Sequence, residues 1–178
     1  TNFGAHHLDI TQWALGKDES GPVSIHATAE YHPEKWFEVP AKCEISYTYE
    51  DGLVVSCGQK YKGGVTFEGE KGTLFVDRSK LISTPAEIVK DLHVTEKLYE
   101  SKNHHQNWLD CIKTRKAPIC DVAIGHRSAT VCHLGNIAVR TGRKIQWDPA
   151  KQAIVGDTEA EAMLARPYRA PWALPQSS

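Results

Sequence analysis

The sequence has little of what marks the easily read classes of protein. Its five cysteines, Cys43, Cys57, Cys111, Cys120 and Cys132, are odd in number and form no Cys-x-x-Cys pair, which excludes a zinc-ribbon spacing and gives no disulfide framework. Each stands among apolar or small neighbours, so free, buried thiols and folding in a reducing compartment are expected. Apolar runs such as Leu53-Val54-Val55 fall far short of the roughly 18 residues of a membrane span. Neither charge is in excess: 21 Lys plus Arg against 22 Asp plus Glu leave a net charge of −1, which argues against a nucleic-acid surface. No signal peptide or twin-arginine stretch is present. The chain opens on Thr1 rather than Met, so it is expected to be a fragment, and its compartment, cytoplasmic or exported, is left open. No Gly-x-Gly-x-x-Gly follows a strand-like segment and no Walker-type loop occurs. Gly63-Gly64 and residues 69–72 sit between short strands, where hairpin turns account for them. This chain brings no nucleotide cradle of its own.

What is present is an ordinary globular composition, 40% hydrophobic and 24% charged over 178 residues, enough for one domain spanning residues 1–178. Ile10, Trp13 and Ala14 recur with helical spacing and Gly16 follows as a stop, which predicts a helix over residues 4–15. Alternation of Val23, Ile25, Ala27, Ala29 and Tyr31 with polar residues predicts a strand, and Cys43, Ile45, Tyr47 and Tyr49 repeat the pattern. Asp51-Gly52 is the best hairpin signal, with residues 53–61 as the return strand. Further strands are expected at residues 65–68, 73–76 and 80–84, then a loop with one short helix over 85–102. Asn103 is a cap for a helix to about Arg115, and Asp121 for a longer one to about Thr141, stopped by Gly142. Gly125, Ala129, Cys132 and Asn136 form a small-residue stripe where a neighbour could approach closely. A short strand at 145–147, a helix over 158–166 and a Pro-punctuated tail complete an α+β fold. It should have an open, mainly antiparallel sheet with helices packed on one face. The other face, rich in Ser, Thr and Glu but carrying Val54, should stay open.

The densest chemistry lies in Asn2-Phe3-Gly4-Ala5-His6-His7-Leu8-Asp9. On a helix His6 and Asp9 share a face and Asn2 lies four residues before His6. A carboxylate one turn from an imidazole fixes its tautomer and raises its basicity, as a general base requires. The plainer alternative has His6 packed beneath the sheet and Asp9 in a salt bridge. His7 points about 100° away and does not share that role. His104-His105 opens a second helix, where adjacent histidines are expected to point apart, either as solvent-facing cap residues or with one lining a pocket or helping attract an anion. The tail Arg166-Pro167-Tyr168-Arg169-Ala170-Pro171-Trp172 interleaves cations and aromatics, suited to a partner subunit or a sugar-like ligand, or to packing on its own domain. The five tryptophans, Trp13, Trp36, Trp108, Trp147 and Trp172, should mostly be core or edge residues. A metal site on His6, Asp9 and His105 would make a hydrolase or isomerase, but no His-x-x-x-His spacing supports one and no metal is expected.

Taken in order, these segments resemble the C-terminal domain of the Gfo/Idh/MocA oxidoreductases, in the bacterial-type branch. The likeness rests on Gly4-Ala5-His6-His7-Leu8-Asp9 with Trp13, and on Phe67-Glu68-Gly69 with Lys71-Gly72-Thr73-Leu74. It continues through His105-Gln106-Asn107-Trp108-Leu109-Asp110-Cys111-Ile112-Lys113 and Cys132-His133-Leu134-Gly135-Asn136-Ile137-Ala138. Trp147-Asp148-Pro149 and the Arg166–Trp172 string close it. The resemblance implies a preceding Rossmann domain that binds NAD or NADP and carries a catalytic Lys, both outside this chain. It implies that His6 is the base on a substrate hydroxyl and that Asp9 orients His6 or touches substrate. The family's acidic position falls on Asn2, a departure, because Asn hydrogen-bonds without holding negative charge. His105, His7 and Arg169 are the expected substrate contacts, the substrate being sugar-like, and the open sheet face is the expected homo-oligomer contact. The net reaction could be oxidation, epimerisation or elimination. A non-catalytic relative serving assembly or ligand sensing is the rival reading.

Overall fold

The computed structural model describes residues 2–90 and 98–173. Among the described residues five helices and eight strands make an α+β chain: α1 (Asn2–Ala14), β1 (Ser24–Glu30), β2 (Lys42–Thr48), β3 (Val54–Gly58), β4 (Val65–Gly69), β5 (Gly72–Val76), β6 (Leu81–Thr84), α2 (Glu87–Lys90), α3 (His104–Thr114), α4 (Val122–Thr141), β7 (Ile145–Asp148), β8 (Ala153–Ile154) and α5 (Thr158–Ala162). The strands belong to two open sheets, β3-β2-β1-β7-β8 and β4-β5-β6, antiparallel throughout the described pairings. The chain divides into two compact units, residues 1–19 with 60–132 and residues 20–59 with 133–178.

In the second unit the predicted alternation decides which side chains meet. Ile25 lies opposite Ile145 and Tyr47, and Ala27 opposite Ile45; Ile25, Ala27, Tyr47, Ile145 and Trp147 are all buried. The C-terminal part of α4 supplies Leu134, Ile137 and Ala138 to the same core. Gly135 comes so close to the sheet that a Cβ there would overlap Tyr47 Oη and stand 3.1 Å from Ile45 Cδ1. His26, Ser46 and Ser56 are in register across the opposite face, as are Thr28, Glu44 and Gly58. Exposed Val54 joins that open, polar face. The β2–β3 hairpin closes with Tyr49 N–H donating to Leu53 O at 2.9 Å and Gly52 N–H to Tyr49 O at 3.0 Å. Gly52 takes φ +83, so the loop holds three residues with glycine at the left-handed position.

In the first unit β4 and β5 pair from Val65↔Val76 to Gly69↔Gly72, and β6 extends the meander. α1 lies against β4 and α2 against β6. α1 ends as expected, with Gly16 at φ +65 and Lys17 N–H donating to Gln12 O at 2.8 Å. Asn103 caps α3, its side chain accepting from Gln106 N at 3.0 Å, and Asp121 caps α4 by accepting from Ala123 N at 2.9 Å.

Several expectations change. Gly125 and Ala129 are exposed while Ser128, Val131, Gly135 and Ala138 are buried, so the close-approach stripe runs about 100° round α4 from the one read in the sequence. α5 stops at Ala162; Met163 and Leu164 continue as a tight turn on Ala160 O and Glu161 O, ahead of Pro167. Only Cys132 among the five free cysteines is buried. Of the tryptophans Trp147 is core, whereas Trp13, Trp36, Trp108 and Trp172 are exposed. Residues 91–97 of the predicted loop and 174–178 of the predicted tail lie outside the described residues. No described helix is long and apolar enough to cross a membrane.

Candidate functional site

α1 carries the candidate residues in the first unit. His6 and Asp9 are exposed, His7 is half-buried and Leu8 between them is buried, so the helix turns its apolar side inward and its chemistry outward. Asn2 opens the helix, with its side chain outside the described residues. Thr11 Oγ1 donates to His7 O at 2.7 Å, and Gln12, 1% exposed, donates from Nε2 to Lys17 O at 3.0 Å. The Gln12 bond ties the last turn to the loop that follows.

Asp9 is held from across the sequence. Ser128 Oγ donates to Asp9 Oδ1 at 2.7 Å, an ordinary distance for a hydroxyl donor on an oxygen. Among the described residues no hydrogen bond joins Asp9 to His6. Beside Asp9 lies a charged group that sequence reading missed. Burial, then the charges of Asp9 and Glu19, raise Asp18 above the ordinary carboxylate range, with Arg127 opposing. Asp18 Oδ1 and Arg127 Nη1 are buried without a partner among the described residues, and Arg127 Nη2 sits 3.5 Å from Glu19. Burial followed by Asp9, Asp18 and Asp121 likewise pushes the Cys120 thiol up. No local pattern in the sequence links Asp18 and Glu19 to Arg127, which lies far along the chain on α4.

His105 stands exposed in the first turn of α3. The His104 and His105 rings do not point apart, as adjacent residues were expected to; their centroids are 4.1 Å apart at 37°. No hydrogen bond or ring contact joins His105 to His6, His7 or Asp9 among the described residues. Arg169 belongs to the second unit, exposed, with its carbonyl accepting from Trp172 N at 2.9 Å. No group of three His, Cys, Asp or Glu among the described residues is arranged to hold a metal ion. The arrangement offers one free imidazole and one anchored carboxylate on the same helix face, the pair needed to take a proton from a hydroxyl and to bind a neighbouring one.

A family profile described as "Oxidoreductase family, C-terminal alpha/beta domain" matches residues 1–174. This chain belongs to the Gfo/Idh/MocA oxidoreductase family, as its C-terminal domain. Solved structures repeat the fold. The WlbA dehydrogenase of Bordetella pertussis, in complex with NADH and UDP-GlcNAcA, aligns at TM-score 0.56 and 18% identity over 82% of this chain and 43% of that one. An NAD-binding protein of Listeria innocua aligns at TM-score 0.53 and 14% identity over 80% of this chain and 45% of that one. The aldose-aldose oxidoreductase of Caulobacter crescentus, complexed with glycerol, aligns at 0.52 and 17% over 80% and 45%. The Gfo/Idh/MocA chain described here thus spans less than half the length of these structures. A comparison with curated proteins returned no match.

Proposed function

We propose that this chain is the substrate-binding and oligomerisation part of an NAD- or NADP-dependent oxidoreductase acting on sugars, polyols or related compounds. The observation that carries the reading is the exposed His6 imidazole one helical turn from the anchored Asp9 carboxylate, on a chain of this family. Support for the cofactor comes from structures of similar fold crystallised with NADH. Gly69 and Gly72 do not fit a dinucleotide cradle: they are the paired ends of the β4–β5 hairpin, and a Cβ on Gly72 would overlap Thr84 O. The cofactor would rest on a Rossmann module outside this sequence, and the isolated chain would be inactive. When bound, a nicotinamide supplies the hydride acceptor.

The residues of this chain handle the proton and the orientation. A substrate hydroxyl would donate to an imidazole nitrogen of His6, and a second hydroxyl to Asp9 Oδ2, the oxygen that Ser128 leaves free. His6 would take the proton of the first hydroxyl and hold it on its imidazole. Asn2 in place of an acid would hydrogen-bond without adding charge. His7, His105 and Arg169 are proposed substrate contacts.

The test is turnover of the full-length parent on a sugar and polyol panel with NAD and NADP. His6→Ala is expected to lower kcat by at least ~100-fold, the typical loss with a general base; unchanged turnover removes His6 from the mechanism. Asn2 favours a second reading, a relative that senses ligand or assembles without catalysis. It predicts saturable sugar binding with no turnover on any cofactor. For assembly, Thr28→Glu with Ser56→Glu on the open sheet face is expected to convert an oligomer to monomer in sedimentation; an unchanged mass moves the interface elsewhere.

A further inference from the structure

The hydroxyls inside the helices of this chain are used in two ways. Thr11 donates to His7 O, Thr114 to Asp110 O, Thr130 to His126 O and Thr141 to Ile137 O, at 2.7, 2.8, 2.8 and 2.8 Å. Each folds back one turn on its own helix, the default for a helical hydroxyl that needs an acceptor. Ser128 has the same option on α4. It is 6% exposed, so its hydroxyl must find a partner within the protein. Instead it reaches a residue 119 positions away in sequence, Asp9 Oδ1.

The carboxylate it reaches is exposed, so water alone would satisfy it and leave its rotamer free. Asp18 and Cys120 lie close enough to Asp9 to feel its charge. A hydrogen bond from a buried hydroxyl to one oxygen of a carboxylate fixes the direction of that carboxylate. Oδ1 is thereby committed, and no hydrogen bond engages Oδ2 among the described residues.

We propose that Ser128 is a positioning residue for Asp9. It holds the carboxylate in one rotamer, so that Oδ2 presents to a substrate hydroxyl beside His6. The inference rests on the proposed function for its catalytic meaning, while the rotamer itself is measurable without any substrate.

Three-bond couplings to Asp9 Cγ in the labelled 178-residue chain report its χ1. Values of a single rotamer are expected for the native chain and for Ser128→Thr, which keeps the hydroxyl, with averaged values for Ser128→Ala. Single-rotamer couplings retained in Ser128→Ala overturn the proposal. In the full-length parent Ser128→Ala should lower kcat by roughly tenfold, within the ~100-fold that a 1 Å misplacement costs. Ser128→Thr should restore it, and Ser128→Ala with Asp9→Asn should be no slower than Asp9→Asn alone. A fall in Tm with couplings and kcat unchanged would make Ser128 structural only and overturn the proposal, as would additive losses in the double variant. A parent that turns over nothing with either cofactor sinks the proposed function, and the couplings then decide Ser128 alone.

Discussion

Gly135→Ala should destabilise the protein although alanine is the better helix former. Gly135 lies inside α4, where replacing glycine by alanine gains about 1 kcal/mol of helix propensity. The added Cβ, however, would overlap Tyr47 Oη and stand 3.2 Å from Tyr47 Cζ. Tyr47 is 1% exposed, so its ring has no solvent to swing into, and the clash belongs at the upper end of the overpacking range, about 3 kcal/mol. The net loss is then about 2 kcal/mol, which lowers Tm by about 4–8 °C in a chain of this size. Thermal and urea unfolding of Gly135→Ala, Tyr47→Phe and the double variant would measure it. Phenylalanine removes the overlapping oxygen, so the alanine penalty should shrink by about 1–2 kcal/mol in that background. Equal penalties in both backgrounds would refute the close approach of α4 to β2, and a stabilised Gly135→Ala would refute the packing argument altogether.

Asn103→Ala should cost about 1 kcal/mol by removing the cap on Gln106 N, with Asn103→Asp close to native, read by urea unfolding. Asp18 is raised in the folded chain, so its contribution to stability is complete below the ordinary carboxylate value of about 4 and is lost as pH rises through the raised value. Asp18→Asn should therefore raise Tm near neutral pH, and the difference should close as pH falls below about 4; a constant difference across that window would assign the effect to packing instead.

The parts of the fold legible in the sequence are those that neighbours along the chain decide. Alternation placed β1 and β2 because a half-buried strand needs unlike faces. Asn103 and Asp121 announced helix starts through their own hydrogen bonds, and Gly16 and Gly142 announced ends through φ +65 and +64. The division of the strands between two sheets was not legible, because hairpin signals pair adjacent strands and say nothing of which hairpins join. The tryptophans misled for a related reason: size and apolarity argue for the core, but exposure is settled by what lies opposite, which a single strand or helix does not reveal.

At the site the same boundary falls between two oxygens of one residue. The spacing of His6 and Asp9 was legible because three residues along a helix always share a face, and that alone suggested a carboxylate orienting an imidazole. The structure gives Oδ1 to Ser128, and nothing within reach of a helical pattern could have indicated it. A partner 119 residues distant is chosen by tertiary structure, and α4 was read with its small-residue face one position out of phase. Had the buried positions 128, 131, 135 and 138 been taken as the inward stripe, Ser128 would have been the one hydroxyl on it. Its burial would then have demanded an acceptor, and the only question left open would have been whether that acceptor lay on its own helix or another.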